Sequence, residues 1–359
     1  MKKLLQLVSI SLILSMGLNA QSTANYSYST VSTGTLTNMT SGTAILGPVA
    51  TGSVMNTTSS AVITIPFTFY YMGVAYTQFS VNSNGQMSLG GTVIGTGAQV
   101  PTAATALLVP MNGTNTIEAA GKASYLITGT SPNQILTVEW SNLRIPSSTT
   151  ATTTNLSQMQ VRLHQGTGII DFVYGAMYNY TAATKSIFFS SSNISNTVGC
   201  VTTIITTPAY NSTATTPVTT SLAVGNITNL NSSADGSRRI FTFTPPSVPT
   251  APTWAATPIT SVTGNGMTLN WNDNATTEAG YQIYNSTDNV TFTLVATTAA
   301  NTTNYTATGL KDLTTYYWKV LAFNEGTVPT STSVTSQITS LATPTWAATP
   351  ITLCLLLPE

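Results

Sequence analysis

Histidine occurs once, at His164, so any imidazole chemistry in this chain would have to run through that side chain. It ends the segment Gln158-Met-Gln-Val-Arg-Leu-His164, in which Met159, Val161 and Leu163 alternate with polar residues. Period-two alternation marks a half-buried strand, which puts His164 opposite the apolar side chains and toward solvent. A Ser-His-Asp relay also needs a sharply turned nucleophile, and the chain has no Gly-x-Ser-x-Gly elbow. Glycoside hydrolysis needs two carboxylates flanking one bond. Residues 21–245 hold Glu118, Glu139, Asp171 and Asp235. Glu139 and Asp171 each stand mid-strand opposite an apolar face, where solvated side chains are expected, and they meet only if their strands are neighbours.

Metal chemistry has few donors to draw on. The chain lacks a His/Cys cluster of the kind that holds zinc. Asn272-Asp-Asn274 beside Thr277-Glu278 resembles a calcium loop, but without its glycine or its spaced acidic ligands, and loop capping by Asp273 and Glu278 accounts for it. The expectation is a non-enzymatic chain with no catalytic residue, metal or cofactor. Aromatic rings are the remaining candidates, because Tyr70, Tyr71, Tyr174, Tyr178 and Tyr180 could form a stacking platform for sugars, the alternative being that strand parity puts about half of them in the core. Tyr178 and Tyr180, flanked by Asn179 and Thr181 in a loop, are the expected ligand-binding residues.

Composition narrows the partners. Only 6% of residues are charged, so Thr, Ser and Asn must form most of the polar surface. Residues 1–20 have the pattern of a secretory signal: basic Lys2 and Lys3, a mostly apolar run from Leu4 to Leu18, and Leu18-Asn19-Ala20 as a cleavage site. Its removal leaves 8 basic and 10 acidic side chains with no basic cluster, which excludes a nucleic-acid binder. No later stretch is long and apolar enough to span a bilayer. Cys200 reads as a small buried hydrophobe, and a pairing with Cys354 near the C-terminus is not expected.

The elements that would position these residues are strands. Leu136, Val138 and Trp140 share one face of Gln134–Trp140, and Gly166-Thr-Gly168 turns the chain from the His164 strand into Ile169–Tyr174. Further strands are expected at Ala61–Tyr71, Gln78–Leu89, Ser124–Thr128, Ser186–Ser190 and Arg239–Thr244. No sustained 3.6-residue apolar stripe appears, so the fold class is all-β: two tandem antiparallel β-sandwiches after a signal peptide. The proline-rich segment 246–250 reads as a short semi-rigid spacer between a first unit, 21–245, and a second, 251–342. Thr343-Pro-Thr-Trp-Ala-Ala-Thr-Pro-Ile-Thr352 nearly repeats Ala251–Thr260, offset by 92 residues, which makes 343–359 the truncated start of another copy.

In the second unit Trp271 follows Met267-Thr-Leu269, then come Gly280-Tyr-Gln-Ile283, Asn304–Leu310 and Thr314–Asn324. This pattern resembles an immunoglobulin-like fibronectin type III domain over its whole length. The resemblance makes Trp271, Tyr281, Leu310, Tyr316 and Val320 core residues and Tyr316 a corner whose hydroxyl bonds to nearby backbone. The family's integrin-binding Arg-Gly-Asp is absent from the last loop, Asn324–Pro329. Ile65-Pro-Phe-Thr-Phe69 and Tyr76-Thr-Gln-Phe-Ser-Val-Asn-Ser-Asn-Gly85 are similar to an N-terminal β-sandwich that precedes such repeats in bacterial surface proteins, particularly of Bacteroidetes. The resemblances imply a secreted or outer-membrane-surface adhesion or scaffold protein whose partner is an extracellular glycan or protein. The alternative is a carbohydrate-binding accessory of a truncated polysaccharide-degrading enzyme.

Overall fold

The structure is a computed structural model that describes residues 25–98, 106–111, 113–145, 156–175, 188–190, 202–204, 238–326 and 330–341. The expected signal peptide, Asp235, Cys200, Cys354, Tyr178, Tyr180 and the segment 343–359 lie outside them. No α-helix forms among the described residues. The chain is all-β, as the alternation of its apolar residues requires.

Residues 27–244 supply fourteen strands: β1 (Ser27–Gly34), β2 (Thr43–Leu46), β3 (Ile63–Tyr71), β4 (Val74–Val81), β5 (Met87–Leu89), β6 (Ala106–Val109), β7 (Thr116–Ile117), β8 (Ala123–Thr128), β9 (Ile135–Arg144), β10 (Ser157–His164), β11 (Ile170–Tyr174), β12 (Phe188–Ser190), β13 (Thr202–Ile204) and β14 (Arg238–Thr244). They build two sheets. One runs β1-β14-β11-β10-β9-β8-β2 with β7 beside β9, and the other runs β13-β12-β6-β5-β4-β3. Their inner faces share one apolar core in which Phe79 of β4 meets Tyr125 of β8 edge-on at 5.9 Å. Trp140 lies fully buried there, with Leu136, Val138, Met159, Val161 and Leu163 around it on the same sheet. Closing β10 onto β11 takes two left-handed glycines, Gly166 (φ 76°) and Gly168 (φ 68°).

One expected strand is broken. Gln78–Leu89 forms two strands, β4 and β5, separated by a turn at Asn82–Gln86 in which Gly85 has φ 85°. Phe79, Val81, Met87 and Leu89 keep the same parity across that turn, so the alternation hides the break.

Residues 253–338 form β15 (Thr253–Thr260), β16 (Gly266–Asn272), β17 (Gly280–Ser286), β18 (Thr293–Ala299), β19 (Asn304–Thr308), β20 (Thr315–Phe323), β21 (Thr330–Ser331) and β22 (Thr335–Ile338). The sheet β15-β16-β19 faces the sheet β18-β17-β20-β21, in which β22 also pairs with β20. Trp271, Tyr281, Trp318 and Val320 fill the space between, and Leu310 packs against them partly buried. The Tyr316 hydroxyl accepts the Lys311 backbone N–H at 3.1 Å, which ties the strand to the turn before it.

Candidate functional site

The chemistry-bearing residues of the first unit gather on the outer face of the eight-stranded sheet. β9, β10 and β11 are neighbours, so Glu139 lies across from Gln160, and Arg162 lies across from Asp171. The expectation of solvated carboxylates is wrong for both: Glu139 is 4% exposed and Asp171 7%. The reason is the segment after β1, which crosses this face. Thr37 exchanges two backbone hydrogen bonds with the Gln160 amide, at 3.0 and 2.8 Å, and the Arg162 guanidinium donates to the Thr35 carbonyl.

Each carboxylate is already occupied. Gln158 and Gln160 both donate to Glu139 Oε2, at 2.9 and 2.7 Å. Burial pushes the Glu139 carboxyl above its ordinary value, while those amides and the charge of Lys122 pull it back. Asp171 takes the His164 ring nitrogen at 2.8 Å on one oxygen and the Thr242 hydroxyl at 2.7 Å on the other. A hydroxyl bonded to the carboxylate cannot hand its proton to the imidazole, so this trio is not wired as a nucleophile relay. Glu139 and Asp171 stand two strands apart and two residues out of register. At ~4.8 Å per strand and ~3.4 Å per residue that places their Cα atoms about 12 Å apart, and each carboxylate is held by its own set of neighbours. Glu118, the remaining described carboxylate here, is paired with Arg144.

The stacking platform is also revised. Tyr71 and Tyr174 are fully buried; the Tyr174 hydroxyl donates to the Pro110 carbonyl, and its ring packs edge-on against Phe241 at 5.6 Å. Tyr70 is half-buried.

The motif Asn82-Ser-Asn-Gly-Gln86 is a buried polar knot. Asn82 Oδ1 accepts the backbone N–H groups of Asn84 and Gln86, both at 3.1 Å. Its amide faces Gln86 Oε1 and the carbonyls of Gly95 and Gly97 at 2.9–3.1 Å, and its own carbonyl accepts the Trp140 indole N–H at 2.9 Å. Asn84 and Asn115 then exchange amide-to-carbonyl bonds at 2.7 and 2.9 Å. A family profile described as NIDO related matches residues 25–245, more than half of the chain, and spans this knot and both sheets. The chain belongs to the NIDO-related family.

No curated protein matches the NIDO-related chain. Similar solved structures include the fibronectin type III domain of human fibronectin type III domain containing protein 3. That domain is 20% identical over 26% of this chain and 89% of that chain, with a TM-score of 0.22. The FN1–FN3 domains of chicken CNTN1 are 9% identical over 60% of this chain and 98% of that chain, with a TM-score of 0.24. The β-1,2-glucanase from Parabacteroides distasonis is 14% identical over 61% of this chain and 35% of that chain, also with a TM-score of 0.24. Likenesses this distant carry no functional argument.

The NIDO-related unit does not hang free on its proline-rich connection. Asn324, fully buried after β20, donates to the carbonyls of Ser247 at 2.6 Å and Pro246 at 3.3 Å. The Thr277 hydroxyl also donates to Ser247. The Glu325 carbonyl accepts the Tyr26 hydroxyl at 3.3 Å and the Gly73 N–H at 3.4 Å, while Asn25 donates to its carboxylate at 2.7 Å. Gly326 lies on Pro245 and under Gly168, the turn glycine of the β10–β11 hairpin. Sequence reasoning missed this seam, whose only signal was glycine at both Gly168 and Gly326.

The second unit's acidic loop is used internally. Asp273 Oδ1 accepts the Ala275 N–H and the Tyr281 hydroxyl, and burial together with that bond holds the Tyr281 phenol well above its usual value. Asn272 and Asn274 donate to Thr253, Trp254 and Ala251. Asp273 therefore caps its own loop. Among the described residues no helix is long and apolar enough to cross a membrane, which says nothing of β-barrels.

Proposed function

We infer that this NIDO-related chain is a non-catalytic, secreted or surface-displayed bacterial protein. It presents the NIDO-related sandwich as a binding face and uses the fibronectin type III-like unit as its mount. One observation carries the reading. The loop pole of the second unit, where such domains have room to meet a ligand, is occupied by Asn324–Gly326 holding the first unit and its linker. The available face is then the NIDO-related unit, coated in hydroxyls and amides because few residues are charged. Recognition of an extracellular glycan or protein by such a surface rests on shape and neutral hydrogen bonds, with little electrostatic steering.

The test is a binding panel of extracellular-matrix proteins and polysaccharides, run with the full chain at two salt concentrations. The expected result is a bound partner whose affinity changes less than about twofold between about 50 and about 500 mM salt, whereas a tenfold fall would contradict the reading. Polysaccharide cleavage by the full chain that disappears in Glu139→Gln would overturn the non-catalytic assignment. Capture of one glycan, lost in Tyr178→Ala or Tyr180→Ala, would reassign the protein as a carbohydrate-binding module.

A further inference from the structure

Thr35–Thr37 lies outside any strand and crosses the outer face of the eight-stranded sheet as a strap. Its fastenings are side-chain bonds. The Gln160 amide clasps Thr37 through its N–H and carbonyl at 3.0 and 2.8 Å, and Arg162 donates to the Thr35 carbonyl. The Thr137 hydroxyl meets that of Thr37 at 3.4 Å. The clasp has a carboxylate behind it: the Gln160 nitrogen that donates to Thr37 also donates to Glu139 Oε2 at 2.7 Å. Strap and carboxylate therefore share one amide. Glu139 is 4% exposed, and among the described residues it forms no ion pair. Gln158 and Gln160 of β10 flank it on one side and Ser124 of β8 pairs with it on the other. The strap adds Thr35, Leu36 and Thr37, none of which titrates. Lys122, just before β8, is the charge that reaches it. Arg162 is spent on Thr35 and Gln160, while His164 and Asp171 answer each other farther along the face. An ionised carboxylate shut in among neutral amides is costly to hold, and opening the strap to water relieves that cost.

We propose that this strap is a pH latch, closed over the sheet while Glu139 carries a proton and loosened once Glu139 ionises. Loosening uncovers Gln160, Arg162 and Asp171, the polar row that the strap now hides. Closure raises the Glu139 carboxyl above its ordinary value, so the closed form binds the proton more tightly than the open form does. Closure is thus fully supported below the ordinary carboxylate value, and the support is lost as pH rises through the raised one. The Thr37 N–H, bonded to Gln160 Oε1, reports the latch directly. The device goes beyond the binding role proposed above, because it sets when this outer face is open and not what meets it.

The experiment is hydrogen exchange of the full chain, read by mass spectrometry at about pH 4 and about pH 8 and corrected for intrinsic rates. Protection of the Thr37 amide should fall on the order of tenfold between the two, while the β9–β10 ladder amides keep theirs. Glu139→Gln should stay protected at both pH values. Lys122→Met removes the charge that holds the carboxyl down, so it should deepen the fall, and it serves as the test if Glu139→Gln does not fold. Equal protection of Thr37 at both pH values in the unaltered chain overturns the proposal. So does a fall that persists in Glu139→Gln, or one that Lys122→Met leaves unmoved. A fall shared by the ladder amides also overturns it, because the whole sheet and not the strap would then be opening.

Discussion

Asn82 is the residue whose loss should damage the NIDO-related unit most for its size. Its side chain is fully buried, with two backbone N–H groups on Oδ1 and three acceptors around Nδ2. Two amide hydrogens can serve only two acceptors at a time, so four hydrogen bonds are lost in Asn82→Ala. At roughly 0.5–1.5 kcal/mol each, and with no water to take their place, the cost is about 4 kcal/mol. For a unit of this size that is a fall of about 8–16 °C in its calorimetric transition, at roughly 2–4 °C per kcal/mol. Asn82→Asp makes a sharper comparison. It keeps both accepted N–H bonds but sets a charged oxygen against Gln86 Oε1 and two carbonyls, so at neutral pH it should be less stable than the alanine variant. Protonation restores a donor, so the aspartate variant should recover stability as pH falls, and the alanine variant should not. An aspartate variant as stable as the alanine one at neutral pH would refute the reasoning.

Three further outcomes are expected. In Gly168→Ala the new methyl group meets the Gly326 carbonyl and the seam must open, so proteolysis in 246–252 should quicken. Gly52→Ala, equally left-handed at φ 78° but in open space, controls for backbone strain alone, and equal cleavage in both would deny the seam its role. The raised Glu139 carboxyl contributes stability below the ordinary carboxylate range that is lost as pH rises through its folded value. Glu139→Gln should therefore flatten that part of the stability–pH curve without loss at neutral pH, because a single oxygen accepts both amides; an unchanged slope would be the contrary result. Trp271 has a buried indole N–H without a partner, so Trp271→Phe should cost well under the roughly 3–5 kcal/mol of Trp271→Ala, as urea melts would measure.

Strand parity carried most of the fold. The faces of Gln134–Trp140 and of the His164 strand emerge from alternation alone, because one side of each must be apolar to meet the opposite sheet. Parity could not show that the other side is also covered. The cover over Glu139 and Asp171 is an irregular stretch, Thr35–Thr37, with no periodic signature, so these carboxylates looked wet. Nor could parity show the turn at Asn82, since Val81 and Met87 fall on the same face with or without it. Tyr71 and Tyr174 belong to the half that parity left for the core; which half was open because a tyrosine is equally at home in a core or at a surface, and neighbours decide. The seam depends on two distant loops arriving at one place, which no local pattern encodes.

Ser27 of the first strand is paired directly with Thr244 of the last, so the polypeptide enters and leaves the NIDO-related sandwich at the same end. The body is thus closed on itself like a bulb, with its two ends side by side. A pull on both ends would load the β1–β14 ladder rung by rung, as a zip is opened, and not all at once in shear. Tugged by a moving surface, this bulb would come apart at that ladder while its inner strands still held.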